Sequence, residues 1–220
     1  MGRLGALARE NGIKIMEVCG THSEVISKYA IRQLYDDRVK LISGPGCPVC
    51  VITPEDIDMV VKYARDDVII VTFGDLARVP GTASSLVMER ARGRNIKIVY
   101  SPLESLHVAK VNPSKPVVFV GVGFETTAPA YGLMIEEAWK RGINNIKLVT
   151  ALKTVIPALT WICEQQEDID AFLCPGHVSV IIGSGAYEAL AKKYKKPFTV
   201  AGFQAEHILA GIYDIVRQLD

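Results

Sequence analysis

Residues 117–127 read VVFVGVGFETT, an unbroken apolar run that ends in glycines and polar residues. The run does not alternate between apolar and polar side chains, which is typical of a strand buried on both faces of a parallel sheet. A helical pattern follows over residues 128–141. Because a strand, a glycine turn and a helix form the repeating unit of α/β proteins, this stretch predicts an α/β fold.

The same unit recurs along the chain. Short β-branched runs predict strands over residues 14–18, 40–42, 68–73, 96–100, 117–122, 146–151, 171–174 and 198–201. Helical patterns lie near residues 22–34, 54–65, 83–92, 103–111, 128–141, 154–166, 185–194 and 204–219. We therefore expect two Rossmann-like lobes, each a mainly parallel four-stranded sheet flanked by helices.

The chain has 220 residues, which fits two lobes of roughly 100 residues better than one. Pro113 and Pro116 flank a short polar stretch that we interpret as the lobe boundary. This predicts an N-terminal lobe over residues 1–113 and a second lobe over residues 114–220. The final helical pattern is long enough to pack back on the first lobe.

Charge and hydropathy exclude several classes of protein. The formal net charge is +1, which gives no electrostatic footprint for nucleic acid. The most apolar stretch is far shorter than the roughly 20 residues that a spanning helix needs, so no membrane partner is expected. Arg9 and Glu10 interrupt the apolar segment that a secretory signal would require. We expect a cytoplasmic protein.

Residues 17–22 read EVCGTH and place Cys19 at the carboxyl end of a predicted strand, just before a helix. Ligands bind at that edge of an open parallel sheet, and a thiolate there can act as a nucleophile or a metal ligand. His22 is a candidate second ligand, proton carrier or hydrogen-bond partner. The alternative is a small buried cysteine beside a histidine in the first helical turn.

Residues 44–50 read GPGCPVC, and the spacing of Cys47 and Cys50 is typical of a redox-active dithiol. The alternatives are half of a zinc site, which would need two further ligands, or a chance pair of inert cysteines. This loop also follows a predicted strand of the first lobe. Three thiols could therefore meet in one cleft, one for a metal and two for electrons.

Other patterns are less specific. Residues 121–127 loosely resemble a dinucleotide-binding glycine loop, but Thr126 stands where a third glycine is needed, so we favour a tight strand-to-helix turn. Asp75 and Arg78 belong to another loop at a sheet edge and could pair or face a partner.

The remaining cysteines are predicted to be core residues. Cys163 lies in a helical pattern beside two apolar residues, and Cys174 ends a strand. His177 follows Cys174 at the sheet edge and is a candidate cleft residue of the second lobe.

The motifs together resemble the HypD family of hydrogenase maturation proteins. The resemblance rests on MEVCGTH at 16–22, SGPGCPVC at 43–50, FGD at 73–75, VGFETT at 122–127 and PGHVS at 175–179. These motifs occur in family order across nearly the whole chain, and as a set they are highly specific.

The resemblance implies a role in assembling the iron centre of nickel–iron hydrogenases. Family members act with the small chaperone HypC as a scaffold on which Fe(CN)2CO is built, and HypE delivers cyanide after HypF chemistry. By this analogy Cys19 is an iron ligand, Cys47 and Cys50 form a redox pair, and His22 is an auxiliary residue near the iron. A soft thiolate suits low-spin iron. The implied role is that of an assembly scaffold with thiol redox chemistry more than that of a turnover enzyme.

Two departures from the family pattern stand out. Ser23 occupies a position where the family usually has Thr, and the hydroxyl is retained. Family members also continue into a cysteine-rich domain with a [4Fe–4S] cluster, whereas this sequence ends at Asp220. A cluster needs about four thiolates, and Cys163 and Cys174 are poor candidates. We therefore expect the ligands of that cluster to be absent from this sequence.

Two other functions remain open at this point. A stand-alone thiol–disulfide oxidoreductase would use Cys47 and Cys50 and would need neither iron nor Cys19. A non-catalytic core that docks a HypC-like partner would need none of the three thiols.

Overall fold

The computed structural model describes residues 12–35 and 38–220. The residues on which the secretory-signal prediction rests, Arg9 and Glu10, lie outside them. The strands are β1 (Ile13–Glu17), β2 (Val39–Ser43), β3 (Ile69–Thr72), β4 (Ile96–Ile98), β5 (Val117–Gly123), β6 (Ile146–Leu152), β7 (Ala171–Pro175) and β8 (Phe198–Ala201).

The helices follow these strands in the order expected of an α/β protein. They are α1 (Gly20–Lys28), α2 (Pro54–Arg65), α3 (Leu86–Ala91), α4 (Glu104–Val111), α5 (Ala128–Lys140), α6 (Val155–Gln165), α7 (Gly176–Ile182), α8 (Glu188–Tyr194) and α9 (Ala205–Leu219). Short 3-10 helices cover Ile31–Leu34, Leu76–Arg78 and Ser184–Tyr187. Each predicted strand is present, and helix α7 was not predicted.

The strands form two parallel four-stranded sheets, which confirms the predicted fold class. One sheet has the order β2-β1-β7-β8 and the other the order β4-β3-β5-β6. The chain accordingly divides into a first unit of residues 1–47 and 154–220 and a second unit of residues 48–153.

This division differs from the predicted lobes of residues 1–113 and 114–220. The second unit is inserted into the first, because β7 returns to pair with β1, with Ile15 opposite Ala171. Strand β5, which was assigned to the other lobe, pairs with β3, with Ile69 opposite Val117. The polar stretch between Pro113 and Pro116 is therefore a loop within one unit.

Both faces of the first sheet are covered by helices. Successive side chains of β1 point to opposite faces, as they do in any strand. One face packs on α1 and α9 through Ile13, Ile15, Ile26, Ile208, Ile212 and Ile215. The other packs on α6, α7 and α8 through Met16, Val18, Leu159, Phe172, Val178 and Leu190. The final helix thus packs on the N-terminal strand and helix of the chain.

The second sheet is covered in the same way. Helices α2 and α3 pack on one face through Ile57, Val60, Leu86, Ile70, Val118 and Val120. Helices α4 and α5 pack on the other through Leu106, Tyr131, Met134, Ile69, Val71 and Phe119. Every residue of β3 and β5 is buried, as the unbroken apolar run at residues 117–123 predicted.

Each sheet has a topological switch point, where successive connections leave a strand in opposite directions. In the first unit it lies between β1 and β7, and in the second between β3 and β5. The carboxyl ends of strands beside a switch point form the usual ligand crevice of open α/β sheets. Cys19 follows β1 and His177 follows β7, so both lie at the first of these edges.

Helix α2 begins at a side-chain cap. Thr53 accepts a hydrogen bond from the Asp56 amide, and the Asp56 side chain accepts one from the Thr53 amide. This reciprocal pair fixes the start of α2. Helix α1 begins at Gly20 and has Cys19 as its N-cap, without a side-chain capping hydrogen bond.

Among residues 12–35 and 38–220, no helix combines the length and the apolar character that crossing a bilayer requires.

Candidate functional site at the carboxyl edge of the first sheet

The Cys19 and Cys47 loops leave neighbouring parallel strands at the same edge of the first sheet. Strand β1 pairs with β2 along its length, with Glu17 opposite Ser43. Two residues after Glu17 comes Cys19, and the glycine-rich loop that leads to Cys47 follows Ser43. The shared edge is as the sequence predicted.

Gly46 brings the two loops into direct contact. A Cβ atom at position 46 would overlap the backbone of Cys19, so only glycine fits this approach. The Gly20 amide donates to the Gly46 carbonyl at 3.4 Å, and the Gly44 amide donates to the Glu17 carbonyl at 2.8 Å. A Cβ built on Gly20 would lie 3.8 Å from the Cβ of Cys47. The first two thiol-bearing loops therefore meet backbone to backbone.

Cys19 occupies the N-cap position of α1 in an extended conformation, with φ −158° and ψ 132°. Cys19 is 4 % exposed, so its sulfur is shielded from bulk water. The first turn of α1 contains no acidic side chain. The amino end of a helix favours negative charge, and this arrangement suits a thiolate that binds a soft metal.

Cys50 lies beyond the boundary between the two units. The division falls between Cys47 and Pro48, which places Cys47 in the first unit and Cys50 in the second. Cys47 is partly buried and Cys50 is exposed.

His22 is fully buried and is held by the loop after β8. Its Nε2 lies 3.3 Å from the Ala201 carbonyl and 3.1 Å from the Gly202 carbonyl. Carbonyl oxygens only accept hydrogen bonds, so Nε2 carries the proton and Nδ1 keeps its lone pair. Among the described residues, Nδ1 has no hydrogen-bond partner. His22 can therefore offer a neutral acceptor nitrogen to a ligand or a metal.

Burial lowers the pKa of His22 below its ordinary value, and the nearby His177 lowers it further, although the two carbonyls oppose the shift. A lowered pKa in the folded state means that the unfolded chain binds more protons near pH 6. We therefore expect thermal stability to fall as the pH drops below about 6.5. In His22→Gln, the melting temperature should fall less than that of the parent between pH 7 and pH 5, because the contribution of His22 is absent.

Val180→Ala is the control for this experiment, because Val180 is exposed and carries no ionisable group, so the pH profile should stay that of the parent. A His22→Gln profile that still runs parallel to that of the parent would contradict the assignment of the pH dependence to His22.

Phe203 lies between two histidines at the switch point. Its ring centroid is 4.9 Å from that of His22 and 4.9 Å from that of His177. His177 is exposed in the first turn of α7. The structure thus brings His177 to the same edge as Cys19 and His22, within the first unit. The prediction had placed His177 in a different lobe.

Cys163 and Cys174 are core residues, as predicted. They pack in the apolar cluster between the first sheet and α6. Burial raises the pKa of both thiols. Such thiols resist deprotonation and do not suit metal binding.

The described residues do not fit a [4Fe–4S] cluster, which needs about four thiolates. None of their His, Cys, Asp and Glu side chains form a group of three or more that could hold a metal ion. A metal bound at Cys19 would therefore need ligands beyond any pair that these side chains could supply.

The other predicted loops have local structural roles. Asp75 accepts a hydrogen bond from the Leu76 amide at 2.7 Å and so starts a 3-10 helix. Residues 124–127 connect β5 to α5, which confirms the predicted strand-to-helix turn.

A buried carboxylate beneath the two loops was missed. Glu17 is 1 % exposed and accepts hydrogen bonds from Arg32, Ser23 and Ser43. The available signal was a charged residue at the end of an otherwise apolar strand, because such a residue is rarely buried without partners.

The comparisons with known proteins point to one family. The family described as "HypD: Hydrogenase formation hypA family" matches residues 3–220. The chain is 44 % identical over 211 residues to the hydrogenase maturation factor HypD of Escherichia coli (strain K12), covering 95 % of this chain and 57 % of that protein.

Two further relatives are about 40 % identical to the chain. A putative hydrogenase expression/formation protein of Methanocaldococcus jannaschii is 40 % identical over 207 residues, with 94 % of this chain and 58 % of that protein covered. The hydrogenase maturation factor HypD of Rhodobacter capsulatus is 40 % identical over 219 residues, with coverage of 99 % and 58 %. The chain thus spans less than two thirds of the length of these curated relatives.

Proposed function

Since the chain belongs to the HypD family, we propose that it serves hydrogenase maturation as a scaffold on which an iron centre is assembled. The proposed cargo is Fe(CN)2CO, held between this chain and a HypC-like chaperone, with HypE as the cyanide donor. The observation that carries this proposal is the packing of Gly46 against the backbone of Cys19. That contact supports a joint role for the loops of Cys19 and Cys47.

In this proposal Cys19 is the ligand that the chain gives to the iron. Its position at the N-cap of α1 places the sulfur at the amino end of a helix, where a metal-bound thiolate, the ligand type that suits soft, low-spin iron, is accommodated. The low exposure of Cys19 would keep water from competing for the metal. His22, with a neutral Nδ1 in the same turn of helix, would orient a bound ligand or accept its proton.

Cys47 and Cys50 are proposed as the redox pair. On oxidation, the two thiols would release two electrons and two protons and form one sulfur–sulfur bond. Thiols that cycle in this way suit a reducing compartment, so we propose a cytoplasmic location. The chemistry is that of assembly and electron transfer on a cargo.

The stand-alone thiol–disulfide oxidoreductase is less well supported. It would use Cys47 and Cys50 without Cys19, and the glycine contact at Cys19 would then have no purpose. A non-catalytic docking core would likewise leave the buried His22 and its unused Nδ1 unexplained.

Infrared spectroscopy tests the proposal directly. The chain would be purified without oxygen in complex with a HypC-like chaperone, and cyanide and carbonyl bands of bound iron are expected. In Cys19→Ala these bands should fall at least roughly tenfold, because a lost metal ligand costs more than the 10–100-fold that a second-shell substitution costs. Cys163→Ala is the matched control, since this buried thiol lies in the core. Bands that persist unchanged in Cys19→Ala would refute the ligand role.

A further inference from the structure

Glu17 is a buried charge without an obvious structural need. It ends β1, a strand whose other residues are apolar apart from Lys14. Its carboxylate is 1 % exposed, and burial of a carboxylate is costly unless partners compensate for it. Among the described residues its Oε2 atom has no hydrogen-bond partner. Within the described part of the chain, the hydrogen bonds to this carboxylate converge on its other oxygen, Oε1.

Three side chains donate to that single oxygen. Arg32, on the first 3-10 helix, forms a close ion pair with Oε1. Ser43 donates to Oε1 at 3.0 Å and Ser23 at 3.3 Å. The hydroxyls of Ser23 and Ser43 also lie 3.3 Å apart. We call Glu17, Arg32, Ser23 and Ser43 the carboxylate cluster.

The carboxylate cluster joins the segments that carry the two thiols. Ser23 lies in the first turn of α1, and its hydroxyl oxygen is also 3.4 Å from the carbonyl oxygen of Cys19. Ser43 ends β2, immediately before the glycine-rich loop of Cys47. The Arg32 guanidinium reaches Ser43 at 3.4 Å and the Leu41 carbonyl at 3.3 Å. One carboxylate oxygen therefore links α1, β1 and β2 beneath both loops.

We propose that Glu17 is a positioning residue that holds the Cys19 and Cys47 loops in register through Ser23 and Ser43. The thiol roles rest on the proposed function, but the positioning itself requires neither iron nor a partner.

Disulfide trapping between Cys19 and Cys47 measures this positioning. The parent carries Cys50→Ser, so that Cys47 cannot form a disulfide with Cys50 instead. Diamide accepts two electrons and two protons from Cys19 and Cys47, becomes the hydrazine and leaves one disulfide, which peptide mapping counts over time. Glu17→Gln should slow trapping at least roughly tenfold, as expected for the loss of charge-assisted hydrogen bonds.

Two substitutions of Ser43 test whether its hydroxyl is what matters. Ser43→Ala should slow trapping about fivefold through the loss of one hydrogen bond, and Ser43→Thr should recover the parent rate because its hydroxyl is retained. Cys163 and Cys174 serve as internal reporters, since they are buried in the same unit and stay unlabelled by a monofunctional reagent while the core is intact.

Three results would overturn the proposal. Glu17→Gln could trap the disulfide at the same rate as the parent, or the parent could form no Cys19–Cys47 disulfide at all. Labelling of Cys163 and Cys174 could also rise in step with the loss of trapping. The last would show that Glu17 only stabilises the unit. Because trapping needs no metal, its failure is distinguishable from failure of the infrared test at Cys19.

Discussion

Gly46→Ala is expected to slow trapping of the Cys19–Cys47 disulfide about 100-fold, the effect of displacing reacting groups by about 1 Å. The new Cβ would overlap the backbone of Cys19, which is fixed by β1 on one side and α1 on the other. A flexible side chain could move aside, but a backbone cannot. The loop of Cys47 must therefore retreat from Cys19.

The same substitution should lower the stability of the first unit by about 1–3 kcal/mol, as overpacking usually does. Both quantities can be measured on one protein, with trapping by diamide and stability by amide exchange of peptides from β1 and β7. In a complex with a HypC-like chaperone, the iron-bound infrared bands should weaken in parallel with trapping.

Gly20→Ala is the matched control. It makes the same chemical change one residue after Cys19, but its Cβ would meet the Cβ of Cys47 at 3.8 Å, an ordinary van der Waals contact. We expect the rate of disulfide trapping in Gly20→Ala to be within about twofold of the parent rate, because such surface substitutions are usually nearly neutral. Equal trapping in Gly46→Ala and Gly20→Ala would show that the close approach at Gly46 does not position the thiols.

The local elements could be read from the sequence, whereas their pairing could not. A run such as residues 117–123 predicts a strand because its apolar character is a local property. Whether β5 joins β3 or β1 depends on contacts between residues far apart in the chain. Two prolines near residue 113 resembled a boundary, yet the units divide at residues 47 and 153, where no comparable signal stands.

The site shows the same contrast. The loops of Cys19 and Cys47 could be placed at one edge, since each follows a strand of a parallel sheet. The partners of His22 come from Ala201 and Gly202, near the other end of the chain, and only the fold brings them together. Arg32 and Ser43 carry no motif, so the carboxylate cluster was visible only as a charge at Glu17.

Removal of the buried carboxylate in the second unit should have the largest effect on stability. One oxygen of Glu89 accepts hydrogen bonds from Ser84 and Arg92 at 2.7 Å and from Arg65 at 3.1 Å. The side chain of Glu89 is 2 % exposed. In Glu89→Gln both ion pairs are lost, and the buried amide is a poor partner for the two arginines. We therefore expect the free energy of unfolding to fall by about 3 kcal/mol at pH 7.

The pH dependence of stability gives an independent check on Glu89. The hydrogen bond from Arg65, together with those from Ser84 and Arg92, lowers the pKa of Glu89 to about 2 although burial opposes the shift. A carboxyl with a lowered pKa binds fewer protons when folded, so its contribution is complete above about pH 4.5 and is lost as the pH falls towards 2. Amide exchange of β3 and β5 near pH 7 would measure the loss of stability, and acid unfolding would measure its pH dependence.

Glu136→Gln is the control within the same unit, because its ion pair with Lys140 is more than half exposed on both sides. Exposed pairs of this kind contribute about 0–1 kcal/mol, so exchange in β3 and β5 should hardly change. The contrast matters because both substitutions remove one negative charge from the second unit. If Glu89→Gln and Glu136→Gln lowered stability equally, net charge would explain the loss. Only a loss specific to Glu89, with a weaker acid transition, supports the buried ion pair as its cause.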